Sequence, residues 1–299
     1  MEIRPFGKTD MKVSVLGFGG AEIGSEKVTP EVVSRLLNEA IDQGLNVIDT
    51  AECYYSSEEL IGQTMAGRRD EYYLFTKCGH AEGPSKPDWR PESLTGSIER
   101  SLKRLKTDRV DLIHLHSCSE AELRKGDVID VLCRAKEKGQ TRYIGYSGDG
   151  QAAKFAIECG AFDSLQTSVN IADQEAIDLT LPLARDRQLG VIAKRPLANV
   201  AWRYTETPKN VYHQPYWERL QTLKYPFLKG GDLPSSVPLA LRFTLSVPGV
   251  DTAIVGTTKP GRWQENAASL EAGPLPDHDF EAIRVQWCEV AEPAWIGQT

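Results

Sequence analysis

Polar side chains follow several short apolar runs of the chain, and their types suit proton transfer. Asp49, Lys77 and His116 each follow such a run, and Tyr54 lies five residues after Asp49. A phenol titrates near pH ~10, and a neighbouring ammonium stabilises the phenolate and lowers that pKa. Lys77 would have this effect on Tyr54, and Asp49 would keep the ammonium charged and oriented. Tyr54 is therefore the candidate proton donor.

The same residues suit the reduction of a carbonyl group and require no metal. His116 would hydrogen-bond the substrate oxygen, on which negative charge develops. Taken singly, each residue has an ordinary structural explanation: Asp49 as a loop cap, Tyr54 as a half-buried aromatic, Lys77 as a surface charge and His116 as a core histidine. The functional interpretation depends on the four occurring together and in order.

The segments that carry these residues alternate between strand-length apolar runs and amphipathic stretches of helical period. Such alternation is typical of a parallel sheet whose strands are joined by helices. The predicted strands are Val13–Leu16, Asn46–Ile48, Tyr72–Thr76, Val110–Leu115, Tyr143–Ser147, Ser164–Ser168, Val191–Ala193 and Thr252–Val255. The predicted helices start at Pro30 and Pro91 and cover Asp127–Lys138, Gln151–Cys159 and Ile177–Arg187, and a last one carries Phe280, Ile283, Trp287 and Val290 on one face.

Eight strands with helices between them fit one barrel better than two domains. The predicted fold class is α/β: residues 1–299 form a single (β/α)8 TIM barrel domain with an N-terminal β-hairpin at Glu2–Leu16 and an extra C-terminal helix. Catalytic groups of such barrels lie at the carboxyl ends of the strands, so the four polar residues should meet in one pocket. The aromatic-rich stretch Leu197–Ser235 is predicted to be irregular, and its aromatics serve either as substrate contacts or as the core of a folded loop.

Motifs spread over the chain match one family in kind and order. They are Asp49-Thr50-Ala51-x-x-Tyr54, Ser57-Glu58-Glu59-Leu60-Ile61-Gly62, Thr76-Lys77, Val110-Asp111-Leu112-x-x-Leu115-His116, Ile144-Gly145-Tyr146-Ser147, Gln166 with Asn170, and Ile254-x-Gly256-Thr257 through Arg262-x-x-Glu265-Asn266. In these segments the chain resembles the aldo-keto reductases. The resemblance implies an NADPH-dependent oxidoreductase that reduces an aldehyde or ketone to an alcohol. It also implies that Tyr54 is the general acid and that the other three polar residues support it.

The nicotinamide end of an NADPH site is predicted at the ends of later strands. Ser147 and Gln166 have the donors and acceptors that a carboxamide needs. The sequence departs from the family here, because Gly148 follows Ser147 where many relatives have Asn. Many relatives also place an aromatic at Lys194 to stack on the nicotinamide. We expect that the Lys194 stem covers the ring, or that Lys194 and Arg195 contact the cofactor diphosphate.

The phosphate end of the same site is predicted after the last strand. Phosphates need amides and fixed positive charge, which Gly256 and Thr257, leading into a helix, and the guanidinium of Arg262 would supply. The planar fork of Arg262 suits a 2′-phosphate and favours NADPH over NADH. The resemblance further implies that Glu265 and Asn266 bind the adenine end.

Composition excludes several other classes of partner. With 35 Lys and Arg against 42 Asp and Glu, the net charge is −7, so nucleic acid is not expected to bind. The start lacks the apolar region of a signal peptide, and no run of about 18 apolar residues occurs, so we expect a cytoplasmic protein with no membrane partner. The six cysteines lie apart without a CxxC motif, which predicts packing thiols and no metal site. The expected partner is a small carbonyl substrate, and the sequence favours neither a monomer nor a homo-oligomer.

Charge is expected to be distributed unevenly over the acidic chain. Five cations, Lys77, Lys194, Arg195, Lys259 and Arg262, should gather at one rim of the barrel and suit a phosphorylated cofactor.

Two other functions fit parts of the sequence. A Schiff-base lyase would use Lys77 or Lys194 at a strand end, but it has no use for Tyr54 or Arg262. A sensor or regulatory subunit would bind NADPH with little turnover, as some relatives of the aldo-keto reductases do. Because all four catalytic positions are intact, the sequence favours catalysis.

Overall fold

An antiparallel hairpin opens the chain and packs against one end of the barrel. The computed structural model describes residues 1–26, 28–83 and 85–298. In the hairpin, β1 (Ile3–Pro5) pairs with β2 (Lys12–Ser14). Phe6 and Met11, between the two strands, are buried against side chains inside the barrel, and the Phe6 ring stacks on Phe75 with centroids 5.8 Å apart. The hairpin therefore closes the amino-terminal end of the barrel.

Eight parallel strands form a closed barrel. They are β3 (Leu16–Gly19), β4 (Val47–Asp49), β5 (Tyr73–Cys78), β6 (Val110–His116), β7 (Thr141–Ser147), β8 (Ser164–Ser168), β9 (Gly190–Lys194) and β10 (Thr252–Val255). Each strand pairs with its successor in the chain, and β10 also pairs with β3, which closes the ring. The predicted (β/α)8 barrel with its N-terminal hairpin is confirmed.

The first barrel strand lies further along the chain than predicted, at Leu16–Gly19 in place of Val13–Leu16. Val13 pairs with Arg4 inside the hairpin, whereas Leu16 pairs with Ala253 of β10. Between them the Ser14 hydroxyl donates a hydrogen bond to the Leu16 carbonyl, 2.9 Å away. Both segments are apolar and of strand length, so local pattern alone does not separate them.

Helices follow the strands and cover the outside of the barrel. After β3 come α1 (Ala21–Ser25) and α2 (Pro30–Asp42); after β4, α3 (Ser57–Met65); after β5, α4 (Pro91–Leu105); after β6, α5 (Glu120–Lys125) and α6 (Asp127–Glu137); after β7, α7 (Gly150–Glu158). After β8 come α8 (Glu175–Leu179) and α9 (Leu181–Asp186); after β9, α10 (Gln214–Leu223) and α11 (Leu233–Ser246); after β10, α12 (Arg262–Ala268) and α13 (Asp277–Val290). Within the described residues, none of these helices is long and apolar enough to cross a membrane.

The predicted helices form where local sequence signals agree. In α2, Pro30 occupies the first turn, and Val33, Leu36, Leu37, Ala40 and Ile41 form the buried face. The predicted helix Ile177–Arg187 is instead two short helices separated at Thr180, because Pro182 lacks the N–H that a continuous helix would use. Helices α1, α3, α5, α10 and α11 were not predicted.

The stretch Leu197–Ser235 is more ordered than predicted. It contains α10, the first residues of α11 and three short 3-10 segments. Its aromatics Trp202, Tyr216 and Tyr225 are buried, which makes them the core of a folded excursion. Tyr212, by contrast, is 46% exposed.

Candidate active site

A buried ion pair lies at the carboxyl ends of β4 and β5. Nζ of Lys77 is 2.5 Å from Oδ1 of Asp49 and donates a second hydrogen bond to the Thr50 carbonyl, 2.8 Å away. Each side chain of the pair is 1% exposed. Burial raises the pKa of Asp49, and the Lys77 charge opposes that shift. These bonds hold the ammonium in one place, as the sequence predicted.

The phenol of Tyr54 lies above this ion pair. Nζ of Lys77 is 5.0 Å from the centroid of the Tyr54 ring. The expected lowering of the Tyr54 pKa by Lys77 is not found: burial raises this pKa well above 10, and the charge of Asp49 raises it further. The phenol therefore keeps its proton at neutral and alkaline pH, which suits a proton donor.

His116 ends β6 beside Tyr54. The two rings meet edge to face with centroids 5.8 Å apart. Burial and the charge of Lys77 lower the pKa of His116 well below 6.5, so the imidazole is neutral at physiological pH. The structure thus brings the four predicted catalytic residues together.

Two residues that the sequence did not single out as catalytic contact His116. Sγ of Cys53 lies 3.5 Å from Nδ1 of His116, and Nε2 of His80 is 2.7 Å from the His116 carbonyl oxygen. His80 also packs edge to face against Trp89, with centroids 5.6 Å apart. Cys53, His80 and Trp89 follow the same strands as the catalytic residues, and that position is the signal that could have identified them.

Glu52 holds the loop that carries His80. Its Oε1 accepts hydrogen bonds from the backbone N–H groups of Gly79 and His80, at 2.9 and 3.1 Å, and its Oε2 is 3.3 Å from Nη2 of Arg100. Glu52 is 4% exposed. A buried carboxylate with two amide donors and a guanidinium fixes the geometry of the loop.

The polar side chains predicted for the carboxamide site form a continuous chain with Asp49. The Ser147 hydroxyl donates to Oε1 of Gln166 at 2.9 Å, and Nε2 of Gln166 donates to Oδ2 of Asp49 at 3.0 Å. Ser147 and Gln166 lie on neighbouring strands, β7 and β8, where they are register partners. Donors and acceptors of the kind that a carboxamide needs therefore lie next to the ion pair.

Lys194 makes a second buried ion pair in place of the usual aromatic. Its Nζ is 2.8 Å from Oδ2 of Asp149, and Oδ1 of Asp149 accepts from the Thr167 hydroxyl and the Ser168 N–H at 2.7 and 2.6 Å. Burial lowers the pKa of Lys194 to about 8. Burial opposes ionisation of Asp149, but the charges of Lys194 and Arg195 lower its pKa. Both carboxylate oxygens of Asp149 therefore already have partners within the protein.

Arg195 links three segments of the chain through hydrogen bonds of its side chain. Its Nη1 donates to the Ser168 hydroxyl at 2.8 Å and to the Gln298 carbonyl at 2.5 Å, and its Nε donates to the Tyr212 hydroxyl at 2.5 Å. Its backbone φ is 55°, a left-handed conformation that is uncommon outside glycine. These partners of Arg195 are neutral, whereas three other cations of the predicted basic rim, Lys77, Lys194 and Arg262, are each paired with a carboxylate.

The predicted phosphate segment lies after β10, beside α1. Nη1 of Arg262 is 2.7 Å from Oε2 of Glu265. Asn266 is buried, and the Thr257 hydroxyl accepts from the Lys259 N–H at 3.1 Å. The predicted residues of this segment therefore lie within one loop and the first turns of α12; they are Gly256, Thr257, Arg262, Glu265 and Asn266.

The space in front of Gly256 bears on whether this segment can accept a dinucleotide. A Cβ built there would collide with Oε2 of Glu22, and the three nearest heavy atoms all belong to that carboxyl group. Glu22 is exposed, so this space is taken by the end of a flexible side chain. The neighbouring Glu26 accepts a 2.7 Å hydrogen bond from the Thr258 hydroxyl. The space in front of Gly256 is thus occupied by the Glu22 carboxyl group, and a cofactor phosphate can enter it only after that side chain turns away.

Other histidines and cysteines have structural surroundings. His114 is fully buried, and its Nε2 lies 3.1 Å from the Ser164 hydroxyl. The six cysteines are free thiols. In the described part of the chain, no group of three or more His, Cys, Asp or Glu side chains is arranged to hold a metal ion.

Comparison with known proteins gives a consistent result over the length of the chain. The profile of the Aldo/keto reductase family matches residues 15–286. The chain is 27% identical to the uncharacterized oxidoreductase YqkF of Bacillus subtilis, with 95% of this chain and 96% of that protein aligned. It is 29% identical to L-galactose dehydrogenase of Arabidopsis thaliana, with 90% of this chain and 88% of that protein aligned. The aldo-keto reductase AKR11C1 of Bacillus halodurans, solved in its holo form, superposes with a TM-score of 0.81 at 26% identity and covers 96% of each chain.

Proposed function

The chain belongs to the aldo/keto reductase family, a family of oxidoreductases, and from this premise we propose that it is an NADPH-dependent oxidoreductase that reduces an aldehyde or ketone to an alcohol. We propose that residues 1–299 act as one catalytic domain. The observation that carries the proposal is the buried Asp49–Lys77 ion pair beneath a phenol that keeps its proton.

Each polar residue of the site has a role in the proposed reaction. When bound, NADPH supplies the hydride. Tyr54 donates its phenolic proton to the substrate oxygen, and the positive charge of Lys77 stabilises the phenolate that remains. Asp49 keeps Lys77 in position through the 2.5 Å hydrogen bond. His116, a neutral imidazole, donates a hydrogen bond to the same substrate oxygen.

The proposed cofactor site uses side chains on both sides of this constellation. Ser147 and Gln166 would hold the carboxamide by exchanging their mutual hydrogen bond for bonds to it. The stem of Lys194 would cover the nicotinamide, because its ammonium is held by Asp149. Arg195 would lie near the diphosphate.

The adenosine end of the cofactor would lie on the segment after β10. Gly256 and Thr257 would provide backbone contacts to phosphate, and Arg262 would bind the 2′-phosphate that distinguishes NADPH from NADH. Glu265 and Asn266 would contact the adenine end. Arg262 is half exposed and paired with Glu265 on the surface, a pair that a phosphate can replace at little cost.

The Schiff-base alternative is less well supported than reduction. A nucleophilic lysine must be neutral and reach the substrate. Lys77 is buried in an ion pair with Asp49. Burial lowers the pKa of Lys194 to about 8, which favours a neutral amine, but its Nζ is held 2.8 Å from Oδ2 of Asp149. Both ammonium groups are thereby engaged in structural bonds.

Replacement of Tyr54 by Phe tests the proposed acid. A panel of aldehydes and ketones is assayed with NADPH and with NADH at the nicotinamide absorbance, and binding of each dinucleotide is measured separately. Tyr54→Phe should lower turnover by about 10²- to 10⁴-fold and leave the NADPH dissociation constant nearly unchanged. Tyr55→Phe is the matched control, since Tyr55 is 68% exposed and should retain turnover.

The same assay separates reduction from a regulatory role. Tight NADPH binding without turnover of any carbonyl by the unsubstituted protein would favour an NADPH-binding sensor or regulatory subunit. Substantial turnover by Tyr54→Phe would refute the assigned acid.

A further inference from the structure

The imidazole of His116 has one nitrogen bound to the protein and one without a protein partner. Sγ of Cys53 lies 3.5 Å from Nδ1. Nε2 has no hydrogen-bond partner among the described residues, and His116 is partly exposed. The two ring nitrogens are therefore inequivalent, and the protonation of one decides what the other can do.

Either Cys53 or His116 could donate in this hydrogen bond, and the chemistry of the two groups favours the thiol. Cys53 is 4% exposed, and burial raises the pKa of its thiol to about 12, so the thiol is neutral. Burial likewise keeps the His116 imidazole neutral, which leaves a single N–H on the ring. An unprotonated imidazole nitrogen is a better acceptor than a thiol sulfur, which accepts only weakly. The favoured arrangement is S–H donating to Nδ1, with the ring proton on Nε2.

His80 also restrains His116, through a hydrogen bond to the His116 backbone carbonyl. A carbonyl oxygen can only accept, so the 2.7 Å contact between His80 and the His116 carbonyl requires a proton on Nε2 of His80. The His80 ring lies across that of His116 with centroids 5.3 Å apart. His80 in turn is anchored through its N–H to the buried carboxylate of Glu52. With its backbone fixed, His116 presents its Nε2 away from Cys53.

We infer that Cys53 is a positioning residue that fixes His116 as the Nε2–H tautomer and so makes Nε2 a hydrogen-bond donor toward the substrate oxygen. This inference rests on the proposed reduction, in which His116 must donate to an oxygen. The opposite tautomer would present a lone pair to the substrate oxygen and repel it as negative charge develops.

The test combines kinetics with a direct reading of the tautomer. Cys53→Ala removes the donor, and Cys53→Ser retains one. Proton–nitrogen correlation spectra of protein labelled with 15N-histidine distinguish Nε2–H from Nδ1–H rings, and His116→Gln assigns the signal among the five histidines. Cys118→Ala is the matched control, because Cys118 is also a buried thiol but donates to the Ser119 carbonyl at 3.7 Å.

Defined outcomes decide the inference. We expect an Nε2–H signal for His116 in the unsubstituted protein, a shift toward Nδ1–H in Cys53→Ala, and kcat lowered roughly three- to tenfold with the NADPH dissociation constant unchanged. Cys53→Ser should restore both the spectrum and kcat, which a purely structural role of the thiol does not predict.

Contrary results are equally clear. An Nδ1–H signal in the unsubstituted protein, or an unchanged spectrum and kcat in Cys53→Ala, would overturn the inference. Because the spectrum is recorded without substrate, the tautomer is determined even if no carbonyl compound is turned over. Absence of turnover together with an Nε2–H signal would count against the proposed reduction and against a role of Cys53 in it, while the thiol–imidazole bond itself would stand.

Discussion

Individual residues of the site gain their properties from burial. Removing two charges from water costs several kcal/mol per ion, which only close pairing and further hydrogen bonds offset. Asp49 and Lys77 satisfy this requirement with each other, the Thr50 carbonyl and the Gln166 amide. Loss of one member therefore leaves the other buried without its partner.

This interdependence gives a prediction for the ion pair. Lys77→Met should destabilise the protein by ~3–5 kcal/mol because it leaves Asp49 unpaired in the interior. Asp49→Asn combined with Lys77→Met should recover most of that stability, since both charges are removed. Neither variant should reduce a carbonyl substrate, because the Tyr54 phenolate then lacks its cation. Chemical denaturation and turnover assays measure the two effects, and a double variant as unstable as Lys77→Met would contradict this account.

At the scale of elements, strand order decides which loops meet. Because β10 pairs with β3, the loop after β10 lies beside α1, although their residues are more than two hundred positions apart in the chain. Glu22 and Glu26 of that region thereby face Gly256 and Thr258. Carboxylates beside a proposed phosphate site oppose the binding of an anion.

Glu22→Gln tests this arrangement. Removal of one negative charge that occupies the space before Gly256 should tighten NADPH binding roughly two- to fivefold, with a larger effect at low ionic strength. Calorimetry or nicotinamide fluorescence gives the dissociation constant. Glu99→Gln, an exposed change on α4, controls for net charge. Equal or weaker binding by Glu22→Gln would show that the carboxylate does not compete with the cofactor.

At the scale of the whole molecule, segments from both ends of the chain pack against the barrel. The hairpin closes one end, and residues 296–298 bond to side chains that follow β8 and β9 at the other. The Ile296 carbonyl accepts from Nη2 of Arg219 at 2.7 Å, the Gly297 N–H donates to Oε2 of Glu175 at 2.7 Å, and the Gln298 carbonyl accepts from Arg195. Residues 296–298 therefore hydrogen-bond to side chains that surround the Lys194–Asp149 ion pair.

Gly297 is the position in this segment where a larger side chain would disturb these contacts most. A Cβ there would collide with the side chain of Asp149. Gly297→Ala should cost about 1–3 kcal/mol of stability and release residues 295–298, because the Asp149 ion pair resists displacement. Hydrogen exchange at the Gly297 amide and the thermal midpoint report the change. Gly67→Ala, where an added Cβ meets nothing within 4 Å, should leave both unaffected.

The sequence by itself predicted the barrel and the residues at its strand ends. Regular alternation of strand and helix signals requires a parallel sheet, and parallel strands bring their carboxyl ends to one face. Asp49, Lys77 and His116 therefore had to lie near one another, and the structure brings Tyr54 to them. These are consequences of local periodicity, which needs no knowledge of distant contacts.

Other features depended on contacts between residues far apart in the chain. Burial, which raises the Tyr54 pKa where the sequence predicted a lowering by Lys77, is a property of the assembled barrel. The pairing of Lys194 with Asp149, the approach of Glu22 to Gly256 and the folding of α10 within the long segment after β9 likewise follow from how the loops pack. The tertiary structure alone decided these features, because the free energy of a charge or a loop depends on what surrounds it in space.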